Sequence, residues 1–119
     1  MKSAKPKISI LLATYNRPSF LRASIRSVVM QTMTDWELLV INDGGADVRT
    51  VVDFFKDARI QYYKRSSNRG QASCFNFGLE RSRGTYIAHI DDDDLWYPDH
   101  LQTLIKEIEI WIVVNSCVE

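Results

Sequence analysis

The chain has 119 residues, enough for one domain around one hydrophobic core. Fifteen basic residues balance fifteen acidic ones, so no global charge draws the protein toward nucleic acid or anionic lipid, and any charge-based function is local. The two cysteines, Cys74 and Cys117, lie far apart with no CxxC spacing, which excludes a zinc ribbon and a disulfide framework and points to a reducing compartment.

Residues 1–7, "MKSAKPK", are expected to be a flexible, basic N-terminus, and residues 8–119 to form the domain. The apolar run that follows, "ISILLA", is too short for a signal sequence or a membrane span. The expectation is a soluble, cytoplasmic protein without a transmembrane segment. "ISILLAT" is a continuous, β-branched apolar run and predicts a strand buried on both faces. Pro18 suits a first helical turn, and Leu21, Ile25, Val28 and Val29 recur at helical spacing, predicting a helix over 19–31. "WELLVIN" reads as a second buried strand, and "DGGAD" as a turn with Asp47 as an N-cap. Val48, Val51, Val52 and Phe55 predict a second helix, and "IQYYK" a third strand.

Ala72, Phe75 and Leu79 mark a third helix, with Gly84 as the glycine that ends it. "TYIAHI" predicts a fourth strand. Pro98 opens a fourth helix that carries Leu101, Leu104, Ile105 and Ile108 on one face, and "IWIVV" reads as a last strand. Strands alternating with helices predict a three-layer α/β sandwich with a mainly parallel sheet. His89, on its strand, reads as a core residue or as a support behind a ligand group rather than as a ligand, and Cys74 as a small apolar residue on its helix. Phe20, Trp36, Phe54 and Phe55 read as packing residues.

In parallel sheets, ligands bind beyond the carboxyl ends of the strands. The polar and small residues of this chain fall there: Thr14 to Arg17 after the first strand, Asn42 to Gly45 after the second, Asn68 to Gly70 after the third, and Asp91 to Asp94 after the fourth. Adjacent like charges repel unless they are solvated or neutralised. Carboxylates two apart on an extended segment share a side, so Asp91 and Asp93 can share one hard cation, Mn²⁺ or Mg²⁺, which favours oxygen ligands. Asp43, beside two glycines, can accept from a base N–H or a ribose hydroxyl. Tyr15 can stack on a base, and Arg17 and Arg69 can meet a diphosphate.

Together, "ISILLATYNRPSFLRASIRSVVMQT", "DWELLVINDGGAD" and "NRGQASCFNFGLERSRGTYIAHIDDDDLWYP" resemble the family 2 glycosyltransferases over residues 8–109, in order and in spacing. The resemblance implies the GT-A nucleotide-diphosphosugar transferase fold. It also implies transfer of a sugar from a UDP- or dTDP-linked donor, with inversion and metal assistance. By the same resemblance Ala13, Thr14 and Tyr15 line the base, Asp43 reads it, Asp92 lies near the ribose, Asp91 and Asp93 frame a DXD-type motif, and Asp93 ligates the metal. Many relatives carry two acids where this chain has Asn42-Asp43, and an arginine where it has Phe75, for which Arg69 is the candidate substitute.

Family members continue past the point where this sequence ends, into a part that carries the acceptor site and a general base. The expectations are therefore a general base absent from this chain and an exposed apolar flank at 110–114 that promotes self-association. The acceptor is not identified by the sequence. The alternative expectation is a non-catalytic fragment that binds a nucleoside diphosphate and metal without transferring sugar. A receiver-type phosphoryl-transfer domain would need a lone aspartate after a middle strand and a lysine after a late one, an arrangement this sequence does not offer.

Overall fold

The computed structural model describes the backbone of residues 5–118 and the side chains of residues 5–109. Strand β1 (Ile8–Thr14), helix α1 (Pro18–Val29), strand β2 (Trp36–Asn42), helix α2 (Arg49–Asp53), strand β3 (Ile60–Lys64), helix α3 (Gln71–Arg81), strand β4 (Tyr86–His89) and helix α4 (His100–Val118) follow one another along the chain. The strands form one sheet in the order β3-β2-β1-β4, and every pairing is parallel.

The two central strands are the apolar runs of the sequence, and β2 is buried throughout. Their alternation divides the core. Ile8, Ile10 and Leu12 pack with Leu21, Ile25 and Val28 of α1, Val51 and Val52 of α2, and Leu101 and Ile105 of α4. Burial of each such side chain contributes about 1.5–3 kcal/mol, so this layer dominates the stability. The odd-numbered β1 residue Leu11 points the other way, toward α3. There Gly78 brings the helix close: a Cβ at this position would lie 3.0 Å from both Ile41 Cδ1 and Leu11 Cδ2. The result is the expected three-layer α/β sandwich.

Several local expectations are corrected. "IWIVV" is not a strand, because α4 continues through it to Val118. An apolar run of this length is compatible with either state, and here it extends the helix begun by Leu101 and Ile105. The side chains of the expected apolar flank at 110–114 lie outside the described residues. Helix α4 begins at His100 rather than Pro98, which sits in the turn before it. Gly84 does not end α3, which stops at Arg81; a Cβ on Gly84 would lie 2.5 Å from the Ser9 backbone nitrogen, so the glycine permits a close chain crossing instead. Asp47 is one residue early to be the N-cap of α2, which is Val48, although its Oδ1 does accept from the Arg49 N–H at 3.1 Å. Trp36 is buried with the Arg59 guanidinium 3.7 Å from its ring centroid, whereas Phe20 and Phe54 are largely exposed. Among the described residues no helix is long and apolar enough to cross a membrane.

One buried charge locks the end of the sheet opposite the four polar loops. Glu37 on β2 is 2% exposed and lies in register with Ser9 on β1. Its carboxylate accepts from Ser9 Oγ at 2.6 Å, the Arg83 N–H at 2.7 Å and Gln61 Nε2 at 3.0 Å, and Arg83 Nε lies 3.4 Å away. Burial pushes the Glu37 carboxyl up, but the Ser9 and Arg83 backbone hydrogen bonds, the Arg83 charge and Gln61 outweigh burial and hold it below the usual 4.5. A depressed folded value stabilises the fold above the unfolded value, and that contribution is lost as pH falls through the folded value. Glu37→Gln is expected to cost about 1–3 kcal/mol at pH 7, with the difference from wild type narrowing below pH 4.5. Urea unfolding of both proteins at pH 7 and in acid checks this; a difference independent of pH contradicts it.

Candidate functional site

Because the sheet is parallel throughout, the loops after β1, β2, β3 and β4 emerge on one rim. Side-chain hydrogen bonds tie these loops to one another. Asn16, held at φ 54°, accepts the Ala46 N–H on its Oδ1 at 2.8 Å, joining the first loop to the second. Asn42 shapes the second loop: its Oδ1 accepts the Gly45 N–H at 2.9 Å, and its Nδ2 donates to the Ala46 carbonyl at 2.8 Å. This amide role requires both a donor and an acceptor, which a second acid at position 42 would not supply.

Asp43 joins the second loop to the third. Its Oδ1 accepts the Arg69 N–H and its Oδ2 the Gly70 N–H, each at 2.9 Å, and the residue is 5% exposed. Gly44 makes the approach possible. It has φ +83°, and a Cβ there would lie 2.3 Å from the Ser67 carbonyl carbon. This latch was not legible in the sequence, because backbone donors carry no residue signature.

The acidic turn is fixed from the first loop and from α1. Thr14 Oγ1 donates to Asp92 Oδ2 at 3.0 Å, and the buried Ser24 Oγ donates to the Asp94 carbonyl at 2.6 Å. The turn closes on itself through the Asp94 N–H and the Asp91 carbonyl at 3.0 Å. Arg17 Nη1 lies 3.2 Å from Asp93 Oδ2 and 3.5 Å from Asp92 Oδ1. One carboxylate oxygen from each of Asp91, Asp93 and Asp94 lies within 4.8 Å of the others. Asp94 thus joins the expected pair.

These loops enclose an open cleft of about 330 Å³ lined by Ala13, Thr14, Tyr15, Arg17, Asp43, Gln71, Asp91, Asp92 and Asp93. Eight expected site residues therefore meet at one place. Arg69 is not among them: its backbone N–H serves the Asp43 latch, while its side chain faces a separate hollow beside Lys64, Arg65 and Phe77. Gln71 takes a place in the cleft that the sequence reading missed; its signal was its position as the first helical residue after Gly70. Of the two positions expected for His89, in the core or behind a ligand group, it does not take the first. It is exposed, with Nε2 3.5 Å from Asp91 Oδ1 and its ring 6.2 Å from that of Phe75. Cys74 is buried, as expected, and burial pushes its thiol up.

The family model for glycosyl transferase family 2 matches residues 9–115. The chain belongs to that family. Over 105 residues it is 41% identical to an uncharacterized glycosyltransferase of Rickettsia bellii, covering 87% of this chain and 15% of the relative. It is 37% identical over 100 residues to the Escherichia coli UDP-Glc:alpha-D-GlcNAc-diphosphoundecaprenol beta-1,3-glucosyltransferase WfgD, covering 83% of this chain and 40% of that enzyme. The chain thus spans less than half the length of either family relative.

Solved structures share the fold at lower identity. S. aureus TarS 1-349 in complex with UDP-GlcNAc superposes with TM-score 0.81 and 20% identity, over 87% of this chain and 31% of that one. The mannosyltransferase PcManGT from Pyrobaculum calidifontis, in complex with GDP-Man and Mn²⁺, superposes with TM-score 0.70 and 21% identity, over 79% of this chain and 29% of that one. The fold is therefore the expected GT-A type.

Removal of the Asp43 latch is expected to free the third loop. In Asp43→Ala, the amides of Arg69 and Gly70 should exchange with solvent about tenfold faster or more, while amides of β1 and β2 keep their protection. Hydrogen exchange followed by NMR reads both; unchanged rates at Arg69 and Gly70 contradict the latch.

Proposed function

We propose that this chain forms the donor-binding part of an inverting glycosyltransferase that uses a UDP- or dTDP-linked sugar. The observation that carries the reading is the cleft itself, where Tyr15 and Asp43 on one side and the acidic turn on the other share one rim of the sheet. In this reading the nucleotide lies along the cleft with its base toward Asp43 and its diphosphate toward Asp93. WfgD, whose name specifies UDP-Glc as donor, supports the uridine nucleotide.

The donor set fits a hard divalent cation, Mn²⁺ or Mg²⁺. It is all oxygen, it converges from Asp91, Asp93 and Asp94, and Asp91 and Asp93 line the cleft. When bound there, such an ion neutralises charge on the leaving nucleoside diphosphate. Thr14 holds Asp92 and Ser24 holds the Asp94 carbonyl, so the turn that bears the three carboxylates is anchored independently of any cation. Asp43 accepts from the pyrimidine N3–H with oxygen lone pairs left over from its two backbone bonds, and Tyr15, half exposed, offers a ring for stacking.

In the transfer, an acceptor hydroxyl oxygen bonds to the anomeric carbon as the bond from that carbon to the diphosphate oxygen breaks, and the hydroxyl proton passes to a base on the opposite face. Asp43, Asp91, Asp92 and Asp93 are engaged on the nucleotide and cation side, so the base is a different group.

Asp93→Asn should weaken UDP binding in Mn²⁺ by about tenfold, or about 1.4 kcal/mol. Calorimetry measures it; equal UDP affinity with and without EDTA, in wild type and variant alike, contradicts the metal role. UDP should outcompete CDP, which lacks the N3–H donor, and Asp43→Ala should erase that preference. Equal binding of UDP and CDP by the wild type contradicts the role of Asp43.

A further inference from the structure

Arg17 stands where two readings of the site conflict. Its guanidinium contacts Asp93 at 3.2 Å and Asp92 at 3.5 Å, and these carboxylates are its ion-pair partners among the described residues. Its backbone is the non-helical residue before α1, and the side chain makes no capping bond there. Pro18 restricts the conformation of that backbone, which fixes the root of the side chain, while its tip is half exposed. The tip neutralises part of the turn's charge.

A divalent cation binds carboxylate oxygens at about 2.0–2.6 Å. If Asp93 Oδ2 served such an ion and a guanidinium 3.2 Å away at once, the two cations would repel each other, an effect softened by the pair's half exposure. A cation on the Asp93 carboxylate therefore competes with Arg17 for it. The same side chain also lines the cleft, so a diphosphate beside the ion offers it a new anionic partner with geometry suited to its fork.

We propose that Arg17 is a positioning residue that occupies Asp93 as a resident counter-charge and makes cation and nucleoside diphosphate bind together rather than separately. This rests on the donor-site reading above. Arg17 weakens binding of the ion alone, because the ion must break its ion pair. It strengthens binding of the diphosphate once the ion is present. By linkage, the diphosphate tightens the ion by the same factor that the ion tightens the diphosphate. Such a site takes up free cation less readily and holds it more tightly when the donor arrives.

The test is calorimetric titration of Mn²⁺ into wild type, Arg17→Gln and Arg17→Lys, first alone and then with saturating UDP. Because the Asp93 pair is half exposed, its loss should tighten Mn²⁺ alone only modestly, about two- to fivefold in Arg17→Gln. UDP should tighten Mn²⁺ about tenfold or more in wild type and by a distinctly smaller factor in Arg17→Gln. Arg17→Lys, which keeps the charge, should fall between them. Mn²⁺ affinity that is equal or weaker in Arg17→Gln without UDP, or an unchanged UDP effect, overturns the role of Arg17 while leaving the metal site standing. No Mn²⁺ binding to any of the three proteins overturns the metal site, and this inference with it.

Discussion

Strand β1 is hydrogen-bonded on both edges to parallel neighbours, Thr14 opposite Asn42 on one side and Leu11 opposite His89 on the other. That constraint organises everything else. A strand flanked by parallel partners sends its own loop and theirs to the same rim. Four stretches distant in sequence are thereby gathered into one place, and the helices that return the chain bury both faces of the sheet. Ile8, Ile10 and Leu12 anchor the layer beneath α1, α2 and α4, so the position of the rim is fixed by the densest part of the core.

Parallel strands bring loops near one another but do not fix their shapes. The cross-loop hydrogen bonds do that. Asn16 reaches Ala46, Asp43 reaches Arg69 and Gly70, and Thr14 and Ser24 reach the acidic turn. Two of these groups are side chains that a ligand would also contact. Asp43 is therefore both a wall of the cleft and the latch of the third loop. Asp92 is held by Thr14 while it shares Arg17 with Asp93. A site built this way is preorganised, but its geometry and its charge are coupled, so altering one carboxylate disturbs more than one contact.

The fold was legible where burial imposes a period. "ISILLAT" and "WELLVIN" are the two central strands, and Leu21, Ile25 and Val28 mark the inner face of α1. It was not legible where a run fits two states, as at "IWIVV", or where a glycine serves a crossing rather than a cap, as at Gly84. The site was legible in its residue types, because polar loops after buried strands are conspicuous, and eight of its residues line the cleft. The roles of Ser24, Gln31 and Glu37 were hidden. Gln31 accepts the Leu101 N–H and donates to the Tyr97 carbonyl, tying the end of α1 to the start of α4. Each of these residues works through backbone groups or through one distant partner, and a single sequence does not display such pairings. Arg69 shows the converse: a residue type suited to a diphosphate whose side chain the loop turns elsewhere.

The central claim is that one rim of a parallel sheet holds a cation and a nucleoside diphosphate side by side. The most direct measurement is paramagnetic broadening of backbone amide resonances in the isotope-labelled chain as Mn²⁺ is added in substoichiometric amounts, with and without UDP. The account predicts broadening centred on residues 91–94 that reaches Thr14 and Arg17, strengthens with UDP, and spares Arg83 and Gly84 at the opposite end of the sheet. Broadening centred on that opposite end, or none at residues 91–94 with UDP present, would contradict it.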